Sequence, residues 1–168
     1  MQSPWSFGGY GEFHANFPEG SGGNQFDIHR VVFYTGYEFD SWLLFNSELE
    51  IEHSYLEAGD GGEMAFEQAY VDVLLSDAFN VRFGRVLLPM GIVNKRHEPP
   101  TYNGVERPIF DKYIIPTTWW SDGAGAFGSL GSGIRYEAYV LGGLDGSGIS
   151  AKNGIRGARV KERPSLNE

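Results

Sequence analysis

The run Trp42-Leu-Leu-Phe-Asn-Ser-Glu-Leu-Glu-Ile-Glu-His-Ser-Tyr55 constrains this chain more than any other segment. Glu48, Glu50 and Glu52 alternate with Leu43, Phe45, Leu49 and Ile51. Successive side chains of a β-strand point to opposite faces, so the acids form one wet row and the apolar residues another. The run exceeds the about 5–6 residues typical of a globular strand. It suits a strand with water on one side and lipid on the other, where about 9–11 tilted residues cross the hydrocarbon.

The same alternation recurs along the chain. In Phe7–Phe17, Phe7, Gly9, Gly11, Phe13, Ala15 and Phe17 share one face, against Tyr10, Glu12, His14 and Asn16. In Phe26–Phe39, Val31, Phe33, Thr35, Tyr37 and Phe39 oppose Arg30, Tyr34 and Glu38. A fourth strand is expected over Phe66–Leu75, with Ala69, Val71, Val73 and Leu75 opposite Gln68, Tyr70 and Asp72. Further strands are expected over Val81–Leu88, Gly123–Leu130 and Ile134–Leu141, and the tail from Gly142 is polar and glycine-bearing. His29 and His53 fall on the apolar parity, toward strand ends.

Connections after strands two, four and six are short, and those after one, three and five are longer. Outer-membrane barrels have this asymmetry, with short periplasmic turns and long extracellular loops. Residues 89–119 form the longest connection; Pro89, Pro99, Pro100, Pro108 and Pro116 keep them out of paired central strands. Aromatic residues gather at the strand ends, as in the girdles of such barrels: Trp5, Phe39, Trp42 and Phe79 near the short turns, Phe17, Phe26, Tyr55 and Phe66 near the long loops. Parity also predicts that Arg30 meets Glu50 or Glu52 across the hairpin and neutralises part of the acid row.

Composition narrows the alternatives. The chain has 168 residues, 25 of them aromatic (Phe 12, Tyr 9, Trp 4), with Gly 24 and no cysteine. Thiolate metal sites and disulfides are thereby excluded. A formal net charge of −9 argues against a nucleic-acid partner, whose phosphates need a basic footprint. No stretch approaches the 18 or more apolar residues of a membrane-spanning helix, which a barrel would not need. Met1-Gln2-Ser3-Pro4-Trp5 carries no basic or apolar leader, so an exported protein is expected here in mature or truncated form.

Several segments carry a resemblance. Gly84-Arg-Val-Leu-Leu-Pro-Met-Gly-Ile-Val-Asn94, Arg96-His-Glu-Pro-Pro100, Val105-Glu-Arg-Pro108, Tyr113-Ile-Ile-Pro-Thr-Thr-Trp119, Gly142-Gly-Leu-Asp145 and the glutamate strand resemble bacterial outer-membrane porins of the phosphate-selective porin O/P-like group. The resemblance covers almost the whole chain but only the N-terminal part of such proteins. It implies a sixteen-stranded barrel, homotrimers, and a loop after strand five that folds inward to narrow the pore. Seven strands are an odd number, and at about 24 residues per strand and loop a sixteen-stranded barrel needs roughly 380 residues. A fragment of a longer barrel is therefore expected. Phosphate selectivity in that group rests on basic ladders, whereas the wet faces here hold more acid than base.

Glu48-Leu-Glu-Ile-Glu52 is similar to the acid-rich strand of laminarinase-type glycoside hydrolases with a jelly-roll fold, which would use Glu48 and Glu52. On an extended strand those residues lie about 13 Å apart, against about 5–5.5 Å in a retaining enzyme, so a bulge would be needed. A soluble carbohydrate-binding β-sandwich is the other alternative. His97-Glu98 with His53 or Glu52 could be drawn as a metal site, but a structural or pore-lining histidine fits better, without a second histidine at helical spacing. Gly123-Ala-Gly-Ala-Phe-Gly128 matches a phosphate-loop pattern by letter alone and reads as small residues easing strand packing. Trp119-Trp120 reads as an interface anchor at the top of strand six. Arg82 and Arg85 have opposite parity unless Gly84 introduces a bulge.

The resulting expectation is a partial, all-β, antiparallel up-and-down transmembrane barrel, forming one domain over residues 1–168. Its function would be passive diffusion of small hydrophilic solutes or ions through the outer membrane, without catalysis, cofactor or metal. Pore-lining residues are expected to be Glu12, His14, Arg30, Glu48, Glu50, Glu52, Gln68, Tyr70 and Asp72. Those of the constriction loop are Arg96, His97, Glu98, Arg107 and Lys112. Expected partners are membrane lipid and the solutes, with a homotrimer implied by the resemblance.

Overall fold

A computed structural model describes residues 3–20, 23–53, 62–104, 107–114, 118–131 and 133–160. Tyr55, most of the loop around it, Glu106 and the Lys112 side chain lie outside the described residues. Seven antiparallel strands follow one another in chain order: β1 (Trp5–Asn16), β2 (Gln25–Asp40), β3 (Leu43–Glu52), β4 (Glu63–Leu74), β5 (Asn80–Leu87), β6 (Trp120–Ser129) and β7 (Arg135–Leu141). They form one sheet of order β1-β2-β3-β4-β5-β6-β7, an up-and-down meander that does not close. All seven expected strands are present; β4 begins at Glu63, earlier than the pattern suggested, because residues 63–66 continue pairing with β3.

One face of the sheet is largely apolar and uncovered; near one end, the unbroken register places Arg85 there, paired with Asp122 at 2.7 Å, while Arg82 takes the opposite face. Phe7 is 75% exposed, Phe33 49%, Phe66 48% and Val140 72%. Among the described residues no second layer of protein stacks on these side chains. The other face carries the polar ladder, and residues 94–102 of the connection between β5 and β6 lie against it. Among the described residues, fully or nearly buried polar groups, including Arg30, Glu48, Glu50, Glu67, Asp72 and His97, outnumber buried apolar ones, of which Val32, Val86 and Trp119 are examples. A soluble sheet buries its apolar side and wets its polar one; here the relation is reversed.

The two sets of end aromatics sit on the exposed side. Trp5, Phe39, Trp42 and Phe79 are exposed near the short connections, and Phe17, Phe26 and Phe66 near the long ones. Trp5, Tyr37 and Phe39 form edge-on ring pairs with centroids 4.5 and 4.7 Å apart.

Three bulges set which residues face the ladder. In the β1–β2 pairing Glu12 opposes Arg30 and Phe13 opposes Ile28, which leaves His29 as an extra residue. In β2–β3 Glu38 opposes Leu44 and Asp40 opposes Leu43, so Phe39 is extra beside the Ser41-Trp42 turn. In β3–β4 Glu48 opposes Gln68 and Leu49 opposes Phe66, so Glu67 is extra. An unpaired residue bends the strand and re-aims side chains. Simple alternation therefore misplaces His29 and His53: both line the polar cleft rather than the apolar face. Gly84 brings no register shift, since Ala69–Arg85 and Tyr70–Gly84 pair in sequence. It has φ of 126° and a Cβ there would strike the Ala69 and Tyr70 backbone, so the position requires glycine.

The long connection holds short helical turns at Asn94–Arg96 and Pro99–Thr101 and one helix, α1 (Ile109–Tyr113). Asn94, 1% exposed, ties its two ends together. Its Nδ2 donates to the carbonyls of Leu88 (2.7 Å) and Trp119 (2.8 Å), and its Oδ1 accepts from the Trp119 backbone N–H (2.7 Å). Trp119 is consequently buried, and Trp120 lies beneath the Arg85 guanidinium, 4.0 Å from the ring centroid, and lines the cleft. The expectation of a membrane-interface anchor is corrected at Trp119, which closing the loop buries; Trp120 is only partly buried.

Candidate functional site

The polar face is an ordered ladder of ion pairs. Arg30, on β2, is 5% exposed and meets three carboxylates: Glu12 on β1 at 2.7 Å and, on β3, Glu50 at 2.8 Å and Glu52 at 3.4 Å. Register explains it. Arg30 pairs with Glu12 on one side and Glu52 on the other, and Glu50 is the next same-face residue of β3. Lower on the sheet, Arg82 of β5 grips Asp72 of β4 through two hydrogen bonds of 2.6 and 2.8 Å, and its guanidinium lies 3.9 Å from the Tyr70 ring centroid. Gln68 donates to Glu48 at 2.5 Å. Buried carboxylates are tolerated where paired cations and donors replace the lost water.

The loop crosses this ladder. His97 is 2% exposed and donates from Nε2 to Glu67 (2.7 Å) and from Nδ1 to the Asn94 carbonyl (3.2 Å); Glu48 stands 3.6 Å from Nε2. Tyr10 of β1 donates to Glu98, Tyr102 to the His97 carbonyl, and Lys95 pairs with Glu137 of β7. The segment is thus attached to the first strand, the last strand and the centre of the sheet. Burial by itself would lower the His97 pKa, but the carboxylates of Glu48, Glu67 and Glu98 push it up to about 10. Burial and the neighbouring Glu48 push Glu98 up to about 7. Both shifts favour the proton-bearing state of the junction.

Between loop and wall lies a cleft of about 310 Å³. Glu12, Glu50 and Glu52 line it from the strands, while Arg107 lines it from the loop and Arg156 and Arg159 from the tail. Arg159 donates to the Thr118 carbonyl at 2.7 Å, which fixes the tail against the end of the loop. Arg30 lines the same wall as these acids, so the cleft holds carboxylates and guanidinium groups from strand, loop and tail together.

Glu12, His14, Arg30, Glu48, Glu50, Glu52, Gln68, Tyr70 and Asp72 therefore share one face, and His97, Glu98 and Arg107 join them. Arg96 is exposed and its side chain takes no part in this network; the Lys112 side chain is outside the described residues. Glu48 and Glu52 do not approach each other. The extra residue at this level lies in β4, leaving β3 extended, and the two acids are held by Gln68 and Arg30 respectively. His97 gathers Glu48, Glu67 and Glu98, whereas His53 joins Asp27 and His29.

Sequence alternation missed Glu67, Asn94, Arg156 and Arg159. For Glu67 a signal existed: an acid at an apolar-parity position, inside an otherwise alternating strand, marks a bulge or a buried pair. Nothing local marks Asn94, whose partners lie at both ends of a 32-residue connection.

No family model matches the chain. A protein of Aquifex aeolicus (strain VF5), described as an uncharacterized protein, is 46% identical over 141 residues, which are 83% of this chain and 32% of that protein. The chain spans about a third of the length of the relative it matches.

Proposed function

We propose that this chain is the N-terminal part of an outer-membrane porin that lets small hydrophilic solutes or ions diffuse passively. The reversal of polarity across the sheet carries the reading. A face with Phe7, Phe33, Phe66 and Val140 uncovered would be an aggregation surface in water and a favourable one against acyl chains. Its opposite face is lined with fixed charge, and the chain's own loop narrows the space beside it. Selectivity would come from the width of that space and its charges rather than from a reaction.

Two further observations support this reading. Exposed aromatics near both ends of the strands match the girdles that anchor a barrel at the two interfaces. The related protein is roughly three times as long as the matched segment, enough for the roughly 380 residues that sixteen strands require. The resemblance to phosphate-selective O/P-like porins extends the proposal to a homotrimer with an inward loop after the fifth strand. The wall itself is acidic, so phosphate preference is not part of the proposal.

Planar-bilayer recording of the full-length protein tests the reading. Stepwise single-channel currents, with a reversal potential in a salt gradient that changes in Glu50→Gln, are the expected result. Reconstituted, folded protein that yields no current steps would overturn it.

A further inference from the structure

Three of the four histidines of the chain converge at one end of the sheet, beside the connections between β1 and β2 and between β3 and β4. His14 comes from the end of β1, His29 from the bulge of β2, and His53 from the residue after β3. The His14 and His29 rings stack with centroids 4.1 Å apart, and the His29 and His53 rings meet edge-on at 5.0 Å. A single oxygen of Asp27 lies between two of them, 3.0 Å from His29 Nδ1 and 3.1 Å from His53 Nδ1.

Two departures from regular strand geometry create this arrangement. The extra residue of the β1–β2 bulge is His29 itself. His53 has φ of 56°, the one positive-φ residue besides glycine among those described. A non-glycine residue in that region is strained and persists where its surroundings hold it. Both residues carry an imidazole nitrogen within 3.1 Å of Asp27.

We infer that Asp27, His29 and His53 form a binding site for a divalent transition cation of the zinc class. Two imidazole nitrogens and a carboxylate oxygen are donors such ions take, and borderline-soft ions prefer them to the all-oxygen sets of magnesium or calcium. Ligands at about 2.0–2.1 Å in a tetrahedron stand about 3.3 Å from one another. The Asp27 oxygen is within a few tenths of an ångström of that spacing from both nitrogens, and all three donor atoms lie within 4.8 Å of one another. All three residues are partly solvent-accessible, and His29 and His53 line the cleft, so an ion can enter and water can complete its shell.

His14 supports the site from behind. Its ring covers the face of His29, and its Nε2 is held at 2.9 Å by Glu12, which is itself paired with Arg30. The His14–Glu12 pair is thus a support for the His29 ring and not part of the proposed donor set.

Calorimetric titration of the metal-stripped, full-length protein in detergent with zinc chloride tests the inference, whatever the protein conducts. The expected result is one saturable equivalent at pH 7.5, with affinity reduced about tenfold or more in His53→Ala and in Asp27→Asn. His53 is half-exposed, so its truncation does not threaten folding. His97→Gln should bind normally, because its cluster with Glu48, Glu67 and Glu98 is separate. Three outcomes overturn the inference: no saturable binding, binding undiminished in both His53→Ala and Asp27→Asn, or binding lost in His97→Gln alone. Substitution of cobalt(II), read by its visible spectrum, adds a check on the donors: intense low-symmetry bands are expected, and a spectrum like that of the hydrated ion counts against the site.

Discussion

The Nε2 atom of His97 lies 2.7 Å from a carboxylate oxygen of Glu67, joining the middle of the long loop to the one bulged residue of β4. Both side chains are almost wholly buried. The contact pins the loop to the wall beside the cleft, which Glu67 lines. Removing one partner of a buried ion pair typically costs about 3–5 kcal/mol, because the other is left charged and dry. Glu67→Gln should therefore loosen residues 94–102. Faster hydrogen exchange there, with the strands unaffected and channel conductance increased, is the expected outcome. Unchanged exchange in the loop would show that Tyr10 and Asn94 hold it without Glu67.

The same junction predicts a pH dependence. His97 titrates at about 10 when folded against an ordinary value of 6.5. Its contribution is complete below about pH 6.5 and is lost as pH rises through about 10. Glu98, raised from 4.5 to about 7, acts in the same direction over that lower range, because the folded state holds its proton more tightly. Loop protection should fall steadily on alkalinisation, and His97→Gln should remove the portion above pH 7. Hydrogen exchange of residues 94–102 from pH 5 to 10 measures it; protection that rises with pH would contradict the assignment.

A single substitution distinguishes a lipid-facing sheet from a water-facing one. Phe33 sits in the middle of β2 on the uncovered face. In a bilayer, Phe33→Arg should cost about 2–4 kcal/mol. In a protein that folds in water, an exposed substitution of this kind stays within about 0.5 kcal/mol. Denaturant titration of folding into phospholipid vesicles gives the value, and an effect in the lower range would remove the lipid from the account.

Arg30 bridges three carboxylates with a single positive charge, so its loss should be severe. Arg30→Met leaves Glu50 buried without its cation and should destabilise the fold by about 3–5 kcal/mol. The double variant with Glu50→Gln should recover a substantial part of that, because the uncompensated charge is gone. A double-mutant cycle by equilibrium unfolding checks the coupling. Additive effects would mean that the pairs at 2.7 and 3.4 Å with Glu12 and Glu52 dominate.

Much of the architecture could be read from alternation alone. The period-two pattern located seven strands, and parity put Arg30 on the face of Glu50 and Glu52 but left two hairpin registers open, of which the structure takes Arg30 opposite Glu52. Proline placement marked residues 89–119 as a connection rather than a strand. These features are local: a strand exposes its pattern residue by residue.

What the tertiary structure decided is where alternation breaks and what distant segments bring together. Each bulge is a property of two paired strands, so His29 and Glu67 changed face for reasons absent from their own segments. Asn94 closes a loop through carbonyls at both of its ends, and Arg156 and Arg159 reach the cleft from the tail. The sequence by itself determined a sheet with one oily and one charged side. Only the packed structure determined that His97 is buried on Glu67, and that Asp27, His29 and His53 share one point in space. Such contacts join residues far apart along the chain, and no local periodicity encodes them.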